Sequence, residues 1–391
     1  MKRNALLVGA IVVALAFTLF ARTEADNRQP ASVANPPGQP TQPASPGSTG
    51  PGSTSPSAVD PDSFFTPTRL RPGQRPPQFI VVSFDGAGSH AKWEYWRDVA
   101  AKANMRFTGF LSGVYLVGEK YRRAYTGPGH SPGRSSIGFF SAAEVRQVVE
   151  DLNDAWRRGD EIGTHYNGHF CAGAGYAAND WTTADWTSEL QQFLTFFRDY
   201  KQVNHDDTMP TLEVPVESIK GGRTPCLEGR PGQLMPALRR LGLSYDSSGN
   251  RSGIAWPKKN RYGIWELPMG YVPLAGTSRG VISMDYNFWV QQTGDPPTTG
   301  DSVANSRQVL ATYQRMYRAA YNGNRAPLIL GNHFNSWNNN AYTQALASFV
   351  RQACRQPDTY CVPYRDVIRW MRAQDPAELA RLQALPAVDT A

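Results

Sequence analysis

Between residues 78 and 333 the chain repeats one pattern: a short apolar or β-branched run that ends on a polar residue able to do chemistry. Gln78–Phe84 runs into Asp85, Glu161–Thr164 into His165, Leu243–Tyr245 into Asp246, and Pro327–Leu330 into Gly331-Asn332-His333. Runs of this length and composition read as buried strands. Amphipathic stretches lie between them. His90–Met105 carries Trp93, Trp96, Val99, Ala100 and Ala103 three and four residues apart. Ser141-Ala-Ala-Glu144 is a capping box, and the helix it starts places Val145, Val148, Val149, Leu152 and Trp156 on one face. Strand–helix–strand alternation predicts an α/β fold. If the strands are parallel, their C-terminal ends share one rim, and the polar residues that follow them meet there.

His165 and His169 stand four residues apart in Gly159-Asp-Glu-Ile-Gly-Thr-His-Tyr-Asn-Gly-His169, in a chain with only six histidines. Two imidazoles at that spacing lie on one face of a turn, and imidazole is a common ligand for zinc. Arg223 precedes a proline-fixed turn, and His333 follows the last buried strand. Asp85, His165, His169, Arg223, Asp246 and His333 together predict a metal-centred hydrolytic site. Two histidines and an acid leave a coordination position open for water, and a carboxylate base with a protonatable histidine opposite completes an amide or ester hydrolase. No serine nucleophile elbow, P-loop or dinucleotide fingerprint is present. Trp181 and Trp186 suit either sugar stacking or helix packing, and packing is the commoner use of such pairs.

The motifs, taken in order, resemble those of the polysaccharide deacetylases of carbohydrate esterase family four. Ser83-Phe84-Asp85-Gly86 resembles Thr-Phe-Asp-Asp-Gly, and His165-Tyr-Asn-Gly-His169 resembles His-(Ser/Thr)-x-x-His. Arg223-Thr-Pro-Cys226 resembles Arg-x-Pro-(Tyr/Phe), and Gly242-Leu-Ser-Tyr-Asp-Ser-Ser248 resembles Gly-Phe-x-Tyr-Asp-Ser-Ser. Trp265-Glu-Leu-Pro-Met269 is similar to a tryptophan-bearing strand of the chitin-deacetylase-like members, and Leu330-Gly-Asn-His333 stands where the last catalytic histidine belongs. The resemblance spans about residues 78–372. It implies a distorted (β/α) barrel in a single catalytic domain over residues 77–375. It implies His165, His169 and Asp85 as ligands of a divalent metal, most readily zinc. Asp85 would be the base, Arg223 its holder and His333 the general acid. Trp265, Trp337 and Asp246 would contact substrate, an acetylated chitin-like or peptidoglycan glycan.

Two positions depart from the family pattern. The second aspartate of the first motif is replaced by Gly86, and the aromatic residue of the third motif by Cys226. Asp246 and Asp285 are the alternative carboxylates for a metal. A catalytically inactive, carbohydrate-binding relative is the competing expectation. Cys171 and Cys226 flank the second and third motifs, so their pairing would tie two active-site loops together.

The ends of the chain bound its location. Lys2 and Arg3 followed by uncharged Ala5–Ala21 predict a signal peptide or an N-terminal membrane anchor over residues 1–25. Residues 26–76, rich in Pro, Gly and Ser, predict a disordered linker. Residues 376–391 read as a C-terminal tail. Four cysteines in an exported chain suggest two disulfides, Cys354–Cys361 by proximity and Cys171–Cys226 by what remains, with a thiolate metal ligand as the alternative. The net charge of +7 is dispersed without a basic run, which argues against nucleic-acid binding. A monomer that meets the membrane only through its N-terminal segment is expected.

Overall fold

The computed structural model describes residues 64–390; the expected signal or anchor, 1–25, and the linker up to residue 63 lie outside them. Among the described residues no helix is long and apolar enough to cross a membrane. The strands are β1 (Gln78–Asp85), β2 (Thr108–Leu111), β3 (Glu161–Thr164), β4 (Gly221–Gly222), β5 (Tyr245–Asp246) and β6 (Asn250–Ser252). They continue with β7 (Lys258–Lys259), β8 (Trp265–Glu266), β9 (Met269–Pro273), β10 (Gly280–Ile282), β11 (Leu328–His333) and β12 (Thr359–Cys361). The main sheet runs β11-β1-β2-β3-β4-β5-β8-β7, with β12 also against β1. Every pairing in it is parallel except β7 with β8.

The sheet curls into the expected distorted (β/α) barrel in one domain. β10, β9 and β6 form a small second sheet. It is stitched to β11, where Gly331 N donates to Ser283 O beside a parallel bridge between Met284 and Gly331. All eight residues of β1 are buried, so the strand shows no polar–apolar alternation, as befits a strand packed on both faces.

Nine helices are described: α1 (His90–Ala103), α2 (Ala142–Arg157), α3 (Thr183–Val203), α4 (Pro231–Arg240), α5 (Asp285–Thr293), α6 (Ser302–Asn322), α7 (Trp337–Ala353), α8 (Tyr364–Ala373) and α9 (Pro376–Ala384). In α1 the buried residues are Trp93, Trp96, Val99, Ala100 and Ala103, the set its spacing predicts. The predicted capping box of α2 is formed on both sides, Glu144 N to Ser141 Oγ and Ser141 N to Glu144 Oε2.

Two local expectations are corrected. Ile264–Met269 reads as one strand but is two, β8 and β9, separated by Leu267-Pro268. Proline has no N–H for the ladder and interrupts the strand. Val281–Tyr286 reads as a strand carrying Asp285, yet β10 ends at Ile282 and Asp285 opens helix α5, a favourable place for an acid. The body also extends past residues 77 and 375. Phe65 is buried in edge contacts with Phe79 and Tyr360, and α9 packs Leu382 into the core.

Candidate active site

Parallel pairing puts the ends of β1, β3, β4, β5 and β11 on one rim. Asp85 ends β1 and is the register partner of His333 at the end of β11. His165 follows β3, and Arg223 follows β4, where its N–H donates to Thr164 O. Arg223 is fully buried. Nη1 donates to Asp85 Oδ1 at 2.8 Å and to Ser83 Oγ at 3.0 Å. Nη2 donates to Ser247 Oγ at 3.0 Å and Tyr364 OH at 2.9 Å, and Nε donates to Ser247 O at 3.0 Å. A guanidinium has five N–H groups in a rigid fork, and here each has an acceptor. Asp85 is therefore held in one orientation by a cation that cannot turn away.

His165 is buried, and its Nδ1 lies 2.8 Å from Arg223 O. A carbonyl only accepts, so Nδ1 carries the proton and Nε2 keeps its lone pair. The His169 ring centroid is 5.2 Å from that of His165. The backbone reaches it through a left-handed turn, with φ of 58° at Tyr166 and 56° at His169. Burial drives both imidazoles down to about 3, and the neighbouring histidines push the same way: His333 acts on His165, and His165 and His333 act on His169. Both rings are thus neutral at physiological pH, the state a metal requires.

His333 is opposite in character. Burial works to lower its pKa, but the Asp285 carboxylate, by charge and by hydrogen bond, and Asp85 behind it outweigh burial and raise it. Asp285 Oδ1 lies 2.7 Å from His333 Nδ1, while Oδ2 accepts from His333 N and Asn335 Nδ2, both at 2.7 Å. Asp285 is therefore engaged with His333 and Asn335. Asp246, the other alternative carboxylate, is likewise engaged, with Ser248 Oγ on Oδ1 and Ser248 N on Oδ2. Burial lifts its pKa to about 6.

Two neutral imidazoles, His165 buried and His169 half-buried, fit a divalent cation such as zinc. The third ligand is less well provided. Gly86 has φ of 67°, and an added Cβ would meet nothing nearer than Tyr115 OH at 3.8 Å, so the turn itself, not crowding, favours glycine there. Among the described residues, the one group of three His, Cys, Asp or Glu ligand atoms within 4.8 Å is His169, Cys171 and Cys226. Those sulfurs are joined in the Cys171–Cys226 disulfide, with Cα atoms 6.1 Å apart, which links the loops after β3 and β4. The second disulfide is Cys354–Cys361.

The residues expected to touch substrate separate. Trp337 lies beside the rim, its ring centroid 5.0 Å from His333, stacked on Trp289 at 5.1 Å and edge-on to Tyr286. Trp265 is 3% exposed and belongs to the core, with Lys259 Nζ over its ring. Asp246 lines a cavity of about 390 Å³ with Glu228, Glu266, Arg251, Trp256 and Met235; Asp85, His165, His169 and His333 are not among its lining residues. Trp181 and Trp186 are buried against each other, the packing alternative of the two readings.

Sequence reasoning passed over Ser83 and Ser247 as holders of Arg223, although both sit inside the motifs read. Tyr364, bonded to both serines and to Arg223, lies 141 residues from the arginine and carries no local signal. Trp289 carries no local signal either, since its place beside Trp337 is set by how α5 packs on α7.

No protein-family model matches the chain, and no curated protein does. Among solved structures it is similar to a Mycobacterium smegmatis protein described as a polysaccharide deacetylase, at 16% identity and a TM-score of 0.48 over 83% of this chain and 97% of that one. It is also similar to a Streptococcus mutans family-four carbohydrate esterase, at 12% identity and a TM-score of 0.42 over 73% and 86%. A family-four pseudoenzyme from Bacillus anthracis is similar at 10% identity and a TM-score of 0.37 over 81% and 69%. With TM-scores below 0.5, these likenesses carry no weight for the chemistry of this chain, which rests on its side-chain geometry.

Proposed function

We propose that the chain is a metal-dependent deacetylase acting outside the cytoplasm on an acetylated cell-wall or extracellular polysaccharide. One observation carries the reading. A buried Asp85–Arg223 ion pair, two neutral imidazoles and a His333–Asp285 pair of raised basicity share one barrel rim. That is the complement for hydrolysing an amide or ester: a fixed carboxylate, a cation site and a histidine of raised basicity that can act as acid. The disulfides support an oxidising location.

A divalent cation held by His165 and His169 would supply Lewis-acid chemistry at the acyl group. Asp85, aimed by Arg223, would accept the proton of the attacking water. Asp285 raises the basicity of His333 by stabilising the imidazolium, and the protonated ring would deliver its proton to the departing sugar nitrogen or oxygen. Asn335, bonded to the far oxygen of Asp285, fixes the carboxylate in that role. The Trp337–Trp289 stack beside His333 offers an apolar wall to a sugar ring.

A screen for acetate release from chitin oligomers, peptidoglycan and acetylated xylan tests the reading, with Zn²⁺ added and with it chelated. Acetate is expected with metal, and His165→Ala is expected to lower it at least a hundredfold. A wild-type protein that takes up no metal, or a His165→Ala variant that releases acetate as fast as wild type, rejects it. The absence of a carboxylate at Gly86 favours a second reading, a polysaccharide-binding protein without catalysis. That protein would retain glycan but show the same retention with or without metal.

A further inference from the structure

The turn between His165 and His169 is anchored from helix α3. Glu189 is fully buried there. Its Oε1 accepts from Asn167 N at 3.0 Å and Gly168 N at 3.3 Å, and Tyr125 OH donates to both carboxyl oxygens at 3.1 and 3.0 Å. The Glu189 carbonyl accepts from Asn167 Nδ2 at 2.7 Å. The carboxyl oxygens thus receive neutral donors from two of the three residues that join the histidines and from Tyr125. Burial, working against these hydrogen bonds, lifts the Glu189 pKa to about 7.

The acceptors of the same turn face the other way. Gly113 N donates to Tyr166 O, and Ser136 N donates to Gly168 O, both at 2.7 Å. The turn is therefore gripped between the 113–136 loop and Glu189. It needs the grip, because two of its non-glycine residues sit in the left-handed region, a conformation that persists only where surroundings enforce it. Gly168 is seated directly on Tyr125: an added Cβ would lie 2.4 Å from the phenol oxygen.

We propose that Glu189 is the positioning residue of this turn, its carboxylate and the Tyr125 hydroxyl together fixing the aim of His165 and His169 on a divalent cation. This rests on the metal-site reading above. A buried carboxyl group bonded to the amides between two ligands holds the backbone from which both imidazoles project. Groups that fix the orientation of metal ligands commonly govern affinity.

The test uses the full chain, Co²⁺ as probe and three variants. Co²⁺ affinity is read from its visible absorption, and amide exchange at Asn167 and Gly168 is measured in the metal-free protein. Glu189→Gln keeps the shape but replaces one accepting oxygen with a donor amide. It is expected to weaken Co²⁺ binding by about 10- to 100-fold and to speed exchange at those two amides while the rest of the barrel keeps its protection. Tyr125→Phe, which removes one hydrogen bond, is expected to give a smaller loss of the same kind and serves if the Gln variant does not fold. Equal Co²⁺ affinity and equal exchange in wild type and Glu189→Gln overturn the proposal, and so does exchange that rises uniformly through the barrel. His165→Ala separates the two ideas. If wild type binds no more Co²⁺ than His165→Ala, the metal-site reading fails and the claim about Co²⁺ affinity fails with it. If only His165→Ala loses Co²⁺, the metal site stands and the role of Glu189 is rejected.

Discussion

Asp285 decides the charge state of the rim. Its carboxylate faces His333 Nδ1 at 2.7 Å and raises the imidazole pKa against the effect of burial. Asp285→Asn keeps the shape and removes the charge, so the His333 pKa should fall. The acid form of His333 is lost as pH rises through its pKa, so the basic limb of the acetate-release profile should move to lower pH. NMR titration of the His333 ring checks the same shift without substrate, and an unmoved pKa would count against the pairing. Stability follows the same sign. A histidine whose folded pKa is raised stabilises the fold at low pH and loses that contribution as pH rises through the folded value. Asp285→Asn should flatten that part of the curve. Asp85, His165, His169 and His333 could be named from sequence because each ends or follows a readable strand, and Arg223 because it opens an Arg-Thr-Pro motif. The residues that hold them, Ser247, Tyr364 and Glu189, could not, since burial at a distance leaves no local pattern.

Elements differ in how much sequence they need. β1 announces itself through eight buried residues in a row. β4 is two glycines and announces nothing. Its reason is spatial: a Cβ on Gly222 would lie 2.1 Å from Thr164 O, and one on Gly221 would lie 2.4 Å from the Tyr245 ring. Only glycine lets β3, β4 and β5 approach so closely and bring Arg223 alongside His165. The loops that leave β3 and β4 are then joined by Cys171–Cys226 across 55 residues, whereas Cys354–Cys361 spans 7. On the loop-entropy account, losing the long link should cost roughly 4 kcal/mol and the short one roughly 2.5 kcal/mol. Denaturant midpoints of the Cys171→Ser/Cys226→Ser and Cys354→Ser/Cys361→Ser double variants measure both. Equal losses would mean that the long link does not restrain the unfolded chain as supposed.

At the scale of the whole molecule, the barrel closes through additions outside the strand–helix repeat. The β10-β9-β6 sheet packs against β11, α9 adds Leu382 to the core, and residues 64–76 lie along the body with Phe65 inserted beside Phe79 and Tyr360. Phe65→Ala should destabilise the fold by roughly 3 kcal/mol, read from urea unfolding, because it empties a packed aromatic site. A change below 0.5 kcal/mol, the range typical of surface substitutions, would show that the segment merely rests on the surface. The sequence by itself determined the α/β class, the strands β1, β3, β5 and β11 from their apolar runs, the faces of α1 and α2 with the capping box of α2, and the polar residues that follow those strands. These are local properties, set by side-chain chemistry and spacing along the chain. Tertiary structure alone decided that Asp285 serves His333, that Asp246 lines a cavity apart from the histidines, that Trp265 is core, and that Glu189 sits beneath the His165–His169 turn. Each depends on which distant segment packs against a group and removes it from water, and that is settled only when the barrel closes.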